Sequence, residues 1–353
     1  MNLTSGTQLY KYLLKSKIGG GNFGQVWLAQ DLTLMSEVAV KILDESMVTA
    51  AESLLEAQVG NRLNHQNVVK VHYADVASLN GVNLVLIAMD YHSNGSILSK
   101  LNSGNFIIAP IAISIAIDVL RGLEYLHEQQ LFHNDIKPSN ILVGLRNEAL
   151  LTDYGISCVS PGLAPTAAPN AYILHRAPET AANGIISVVT DIYQVGLTLF
   201  RMINGIGLIS DLMAKVGNPE FEKLKIAGKV PNQDDYKLFI PNDLRRIINK
   251  ATHFDPSQRY QSALEMRRAL EKLKIYGYWD TEPNGDLFGI LGKYKFTFSI
   301  AKSNGQFDIS SYKESIDTNR KTRISNYSIR VASDAEVNKL MKSFMSSVIN
   351  GTI

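Results

Sequence analysis

With 353 residues, 45% of them hydrophobic and 19% charged, the chain carries enough apolar material to bury a large core in two or three compact units, and whole-chain disorder is excluded. The 35 basic and 33 acidic residues leave a formal charge of +2, a field too weak to announce nucleic acid or a membrane surface as a partner. One cysteine, Cys158, rules out an internal disulfide and fits a reducing compartment, so the cytoplasm is the expected location.

Residues 1–8 show no basic start followed by an apolar stretch, and no secretory signal is expected. Residues 12–89 read as strands with one helix: an apolar stretch into Ile18, strands at 25–29 and 37–43, a helix over 51–63, and strands at 68–73 and 84–89. After Asn94-Gly95 the pattern turns helical, with long segments at 110–129, 190–204, 242–253 and 262–273. The most apolar run, 106–120, is broken by Pro110 and Ser114 and reaches Asp118. It falls short of the roughly 20 apolar residues of a membrane span and is expected to be a buried helix. Composition shifts again around 277–292, and Tyr294, Phe296, Phe298 and Ile300 then alternate as in a strand. Ser303-Asn304-Gly305 predicts a hairpin turn into 306–312, and Tyr327, Ile329 and Val331 predict another strand. Ser333 and Glu336 have capping-box spacing before Val337, Leu340, Met341, Phe344, Met345 and Val348, which recur on one helical face.

Gly19, Gly21 and Gly24 lie in a G-x-G-x-x-G-x-V run that ends at Val26. Such a hairpin lets backbone amides approach phosphate oxygens. A dinucleotide-binding fingerprint shares the spacing but requires a helix directly afterwards, and here a strand follows. Val38-Ala39-Val40-Lys41 sets an ammonium in an apolar strand, where it needs an anionic partner. Nucleotide phosphate and Glu56 are the two candidates, and a snorkelling edge lysine is the bland reading. The strongest run is His133-Asn134-Asp135-Ile136-Lys137-Pro138-Ser139-Asn140, followed by Thr152-Asp153-Tyr154-Gly155.

With Ala177-Pro178-Glu179, Asp191 and Arg259, these motifs occur in the order found in the eukaryotic-type protein kinases, and residues 10–273 resemble that family. The resemblance implies an α+β, bilobal fold over 10–275, with a β-rich N-lobe at about 10–90 and an α-helical C-lobe at about 91–275. A small sheet-and-helix domain over 276–353 follows. It also implies ATP and Mg²⁺ as cofactors and protein substrates. Lys41, held by Glu56, would meet the α- and β-phosphates; Asn140 and Asp153 would hold the metal; Asp135 would accept or orient the substrate hydroxyl. Lys137 would lie by the γ-phosphate, as in the serine/threonine class. Adenine would sit among Val26, Ala39 and Leu142, bonded to backbone near Asp90 to His92, with Met89 at the back. Asp191 is expected to anchor the catalytic loop and Arg259 to pair with Glu179.

Four departures qualify the resemblance. Asn134 replaces the arginine that in many members receives a phosphorylated activation loop, so activity is expected not to require that phosphate. Tyr154 replaces a phenylalanine, residues 170–176 lack the usual threonine, and Gly60 replaces a large apolar side chain one turn after Glu56. A kinase-fold scaffold and a small-molecule phosphotransferase stay open as alternatives, although Lys41, Asp135, Asn140 and Asp153 are all present. From Tyr276 onward, 10 basic against 8 acidic residues give +2. A solvated sheet face and a docking patch for an acidic protein partner both fit that excess, whereas nucleic acid is disfavoured.

Overall fold

The computed structural model describes residues 3–21, 24–44, 60–79, 81–101, 105–153, 157–168 and 172–353. The chain forms two compact units, the first of Met1–Lys100, Asp118–Val195 and Asp255–Leu264, the second of Leu101–Ile117, Gly196–Phe254 and Glu265–Ile353.

Alternating side chains organise the first unit. Strands β1 (Gln8–Leu9), β2 (Tyr12–Gly21), β3 (Gly24–Asp31), β4 (Ser36–Asp44), β5 (Val71–Leu79) and β6 (Val82–Asp90) make one antiparallel sheet of order β1-β2-β3-β4-β6-β5. In β4, Val38, Val40 and Ile42 join a core with Tyr12, Leu14, Trp27, Ala29, Leu84, Leu86 and Ala88. Full burial of each such aliphatic chain contributes about 1.5–3 kcal/mol. Because successive side chains point to opposite faces, Ala39 and Lys41 lie on the other side of the sheet. Register places Val26 opposite Lys41 and Ala39 opposite Met89, so these four share that face. The predicted helix over 51–63 lies outside the described residues except at its end, where residues 60–62 are helical.

Glycine is required at position 24 of the β2–β3 hairpin. Its φ of +143° is hostile to other residues, and an added Cβ would collide with the Ile42 carbonyl and lie 2.9 Å from Leu43 Cδ2. At Gly20 the nearest atom would be the flexible Lys17 Cε at 3.2 Å. The third glycine of the motif is therefore demanded by the adjoining strand as well as by any phosphate that approaches the loop.

The rest of the first unit holds α1 (Ile97–Lys100), most of α2 (Ala109–Glu128), the short strands β7 (Leu131–Phe132), β8 (Ile141–Val143), β9 (Ala149–Leu151), β10 (Cys158–Val159), β11 (Thr166–Ala167) and β12 (Ile185–Ile186), and helix α3 (Pro178–Asn183). Helix α4 (Val188–Asn204) divides its residues between the units, as α2 does. The apolar run expected to be a buried helix is α2, which starts at Ala109 with Pro110 in its first turn.

The second unit contains α5 (Gly207–Val216), α6 (Asn218–Ile226), α7 (Asn242–Ala251) and α8 (Ala263–Glu271). Strands β13 (Gly277–Thr281), β14 (Leu287–Leu291), β15 (Tyr294–Ser303), β16 (Gln306–Ser315) and β17 (Lys321–Arg323) then form a sheet in sequence order, with β18 (Arg330–Val331) paired to β16. The predicted hairpin is present: Ser303 faces Gln306 and both Asn304 and Gly305 have positive φ, as a type I′ turn requires. The strand expected from Tyr327 shrinks to Arg330–Val331. Ser328 Oγ accepts the Ser311 amide at 2.9 Å and donates to the Ser311 carbonyl at 3.2 Å, standing where a backbone partner would be. Helix α9 (Asp334–Asn350) starts with the expected Ser333–Glu336 capping box and buries Val337, Met341, Phe344, Met345, Val348 and Ile349. Among the described residues no single helix is long and apolar enough to cross a membrane.

Candidate active site

The segment His133 to Asn140 runs between β7 and β8 and has little regular structure of its own, so its backbone groups need outside partners. Helix α4 supplies them. Asp191, fully buried, accepts the His133 amide at 3.0 Å and the Asn134 amide at 2.7 Å, and His127 Nε2 lies 2.9 Å from it. One turn later Gln194 accepts the Ile136 amide at 2.9 Å and donates to the Asn134 carbonyl at 2.8 Å. Asp191 anchors the loop as expected. Gln194 was not foreseen; its i,i+3 spacing from Asp191 on an amphipathic helix is the signal that could have found it.

These anchors aim the loop's side chains. Asp135 is 5% exposed. Its Oδ2 accepts Lys137 Nζ at 2.7 Å and Asn140 Nδ2 at 2.8 Å, while Asn140 Nδ2 also reaches the Asp135 carbonyl at 3.0 Å. The other oxygen, Oδ1, is buried with no hydrogen-bond partner among the described residues. A carboxylate oxygen left in that state calls for a partner that comes from outside the chain. The Asp135 amide donates to His133 Nδ1 at 3.3 Å, which leaves His133 Nε2–H to donate to the Thr152 carbonyl at 3.2 Å and fixes the tautomer.

Lys41 meets Asp153 across the site, Nζ to Oδ1, at 2.8 Å, with the lysine side chain 8% and the aspartate side chain 38% exposed. Among the described residues the strand ammonium meets a carboxylate in the segment after β9. Asp153 itself has a φ of +69°, a conformation uncommon for residues other than glycine and costing of order 1–3 kcal/mol. The two aspartates are driven apart electrostatically. Burial pushes the Asp135 carboxyl above its ordinary range, against the charge and hydrogen bond of Lys137 and with help from Asp153. Burial pushes Asp153 the same way, but the charge and hydrogen bond of Lys41, with Lys137 and His133, together outweigh it and hold that carboxyl low. A pair so separated suits one proton acceptor and one permanent anion.

Asn140 keeps its amide oxygen directed away from Asp135, toward Ser139 Oγ at 3.1 Å. That oxygen and the Asp153 carboxylate are both oxygen donors, the chemistry a hard divalent cation prefers. The residues present therefore fit magnesium.

On the sheet side, Val26, Ala39, Lys41 and Met89 share one face by register, and Thr152 Oγ1 lies 4.0 Å from Met89 Sδ. Leu142 pairs with Leu150 in the β8–β9 hairpin. At the end of β6 the Asp90 amide donates to the Lys70 carbonyl at 3.1 Å and the His92 carbonyl accepts the Gly95 amide at 3.1 Å. Those two groups are already engaged by the chain. Gly19 faces Val26 and Gly21 faces Gly24 in the hairpin ladder. Glu56 and Tyr154 lie outside the described residues.

Two departures take physical form. Asn134 is 1% exposed, and among the described residues neither its side-chain oxygen nor its nitrogen has a hydrogen-bond partner. In the segment without the usual threonine, the Tyr172 ring lies 4.7 Å from Lys137 Nζ. Further along, Arg259 holds Glu179 through two bonds of 2.9 and 2.7 Å, the pairing the motifs imply.

A family model described as the protein kinase domain matches residues 12–271. The serine/threonine-protein kinase PrkC of Bacillus subtilis strain 168 is 27% identical over 263 residues, covering 72% of this chain and 39% of that protein. A probable serine/threonine-protein kinase of Clostridium perfringens strain 13 is 31% identical over 271 residues, 75% of this chain and 38% of its own length. The serine/threonine-protein kinase PknB of Mycobacterium leprae is 28% identical over 268 residues, with 74% and 42% covered. The chain spans about two fifths of the length of these curated relatives.

Proposed function

Because the chain belongs to the protein kinase domain family, we propose that it transfers the γ-phosphate of ATP to serine or threonine hydroxyls of protein substrates. The observation that carries this reading is the buried, unpaired Oδ1 of Asp135 beside the Lys137 ammonium. Asp135 Oδ1 receives the proton of the incoming hydroxyl as its oxygen bonds to the γ-phosphorus and the bond to the bridging oxygen of ADP breaks. Lys137 neutralises charge on the transferred group, and Lys41 neutralises charge on the α- and β-phosphates. Asn140 and Asp153 would hold magnesium, which would supply charge neutralisation at the phosphate oxygens. Gly19, Gly21 and Gly24 cover the phosphates, while Val26, Ala39, Met89 and Leu142 enclose the base near Asp90 and His92. A scaffold without chemistry would have no use for a desolvated acceptor oxygen. The small-molecule alternative is disfavoured by the Glu179–Arg259 pair, which builds the peptide side of protein kinases.

We propose further that activity does not depend on a phosphorylated activation loop. Asn134 carries no charge to receive one, and two hydroxyls of the segment after Asp153 are engaged, Ser157 Oγ on the His133 carbonyl at 3.3 Å and Ser160 Oγ on the Ala164 carbonyl at 2.6 Å. Purified protein incubated with labelled ATP, magnesium and a generic protein substrate is expected to transfer label, with Asp153→Ala at least a hundredfold slower. Prior phosphatase treatment is expected to leave the wild-type rate within about twofold. Full transfer by Asp153→Ala would defeat the first proposal, and a phosphatase-induced collapse reversed by rephosphorylation would defeat the second.

The same reading treats 10–275 as the kinase domain and 276–353 as a small domain that engages an acidic protein partner, in the cytoplasm. Support comes from a cleft of about 450 Å³ in the second unit, lined by Arg246, Lys274, Lys339 and Lys342, with Asp243 its one acidic residue. Three of these cations, Lys274, Lys339 and Lys342, lie on or just before the appended segment. Replacing Lys339 and Lys342 together by Glu is expected to weaken capture of a Glu-rich peptide at least tenfold at 0.1 M salt or below, where such pairs act. Unchanged capture would remove the cleft from the proposal.

A further inference from the structure

We propose that Tyr172 is a positioning residue for phosphoryl transfer, its ring face holding the Lys137 ammonium beside Asp135. The inference rests on the kinase reading above. Lys137 sits on an irregular loop with its side chain 20% exposed, and a flexible four-carbon stem of this kind can swing to water unless something holds it. Among the described residues its ammonium meets Asp135 Oδ2 at 2.7 Å and the Tyr172 ring, whose centroid is 4.7 Å from Nζ.

Tyr172 is 46% exposed, and its backbone and one ring face have partners. The Tyr172 carbonyl accepts the amides of His175 at 3.0 Å and Arg176 at 2.9 Å, closing a turn. The ring stacks on His175, which is fully buried, with centroids 6.3 Å apart and planes 19° from parallel. A fixed aromatic face attracts a cation through its quadrupole. It offers no lone pair, so it does not compete for the ammonium hydrogens that must serve Asp135 and the transferred phosphoryl oxygens. A hydroxyl in the same segment would compete. Tyr172 acts through Lys137 without touching the reacting atoms.

Two variants separate the ring from its hydroxyl. Tyr172→Phe is expected to keep kcat within about twofold of wild type. Tyr172→Leu is expected to lower kcat about three- to fivefold, the size of a cation–π contact at a partly exposed ring converted to rate, with the KM for ATP within about twofold. Crystal structures of both variants give a readout without turnover: the Lys137–Asp135 contact persists in Tyr172→Phe and is lost or lengthened in Tyr172→Leu. Should the leucine variant fail to fold, Tyr172→Met serves the same arm. Equal rates for Phe and Leu, equal impairment of both, or an undisturbed Lys137 in the leucine crystal would each overturn the inference. Inactive wild-type protein would overturn the kinase reading instead, while the crystal comparison would still decide whether the ring holds Lys137.

Discussion

Asp135→Asn is expected to cut turnover by about 10²- to 10⁴-fold, the usual contribution of a positioned general base, while the dissociation constant for ATP stays within about threefold. The direction follows from the two oxygens of Asp135. Oδ2 is surrounded by donors, Lys137 Nζ and Asn140 Nδ2, so an asparagine there must turn its carbonyl oxygen toward them. Its NH₂ then occupies the Oδ1 position, the one atom of the carboxylate without a partner. The substitution replaces an acceptor by a donor at the point where a substrate hydroxyl must give up its proton. Packing and loop anchorage are left intact, because Asp191 and Gln194 hold the backbone on either side. Single-turnover rates and equilibrium nucleotide binding measured on the same preparation distinguish the cases. Loss of both in equal measure would make Asp135 a structural residue and deprive the proposed mechanism of its base.

Much of the site was legible because it is written in contiguous motifs. Asp135, Lys137 and Asn140 share one loop, and Lys41 announces itself as the charge in an apolar strand. The strands of the first sheet were legible for the same kind of reason, since a core on one face imposes period-two alternation on β4. What escaped were contacts whose partners lie far apart in the chain and whose residue types are unremarkable. Gln194 holds the catalytic loop from a helix about sixty positions away, and the Tyr172 ring over Lys137 has no motif at all. Strands β13 and β14 escaped because glycines interrupt their alternation. Those glycines answer to packing that only the fold reveals: a Cβ on Gly277 would lie 2.5 Å from the Val348 carbonyl, and one on Gly289 would lie 3.0 Å from the Trp279 ring. Trp279 fills that space, donates to the Met345 carbonyl at 3.2 Å and packs against Phe298 and Phe344. Helix α9, by contrast, announced both its start and its buried face, because a capping box and a 3.6-residue period are local signals.

Arg259→Met is expected to destabilise the first unit by about 3–5 kcal/mol, the cost of leaving one member of a buried ion pair uncompensated. The guanidinium is fully buried, binds both oxygens of Glu179 at 2.9 and 2.7 Å, donates to the Val189 carbonyl at 2.9 Å and lies 4.9 Å from the Tyr193 ring. Methionine fills part of the volume and supplies none of these bonds. Among the described residues Glu179 would keep Thr190 Oγ1 at 2.9 Å, with its side chain 13% exposed. Since a chain of two units need not unfold in one step, the measurement should read each unit separately. The two tryptophans allow it, because Trp27 belongs to the first unit and Trp279 to the second. In a Trp279→Phe background, urea unfolding followed by Trp27 fluorescence should shift to lower denaturant on Arg259→Met. In a Trp27→Phe background, the Trp279 transition should move much less. Adding Glu179→Gln to Arg259→Met should restore part of the loss, because the stranded charge is removed along with its partner. A Trp27 shift worth under about 1 kcal/mol, the range of an exposed pair, would show that water reaches Glu179 once the guanidinium is gone and that the pair contributes little to the fold.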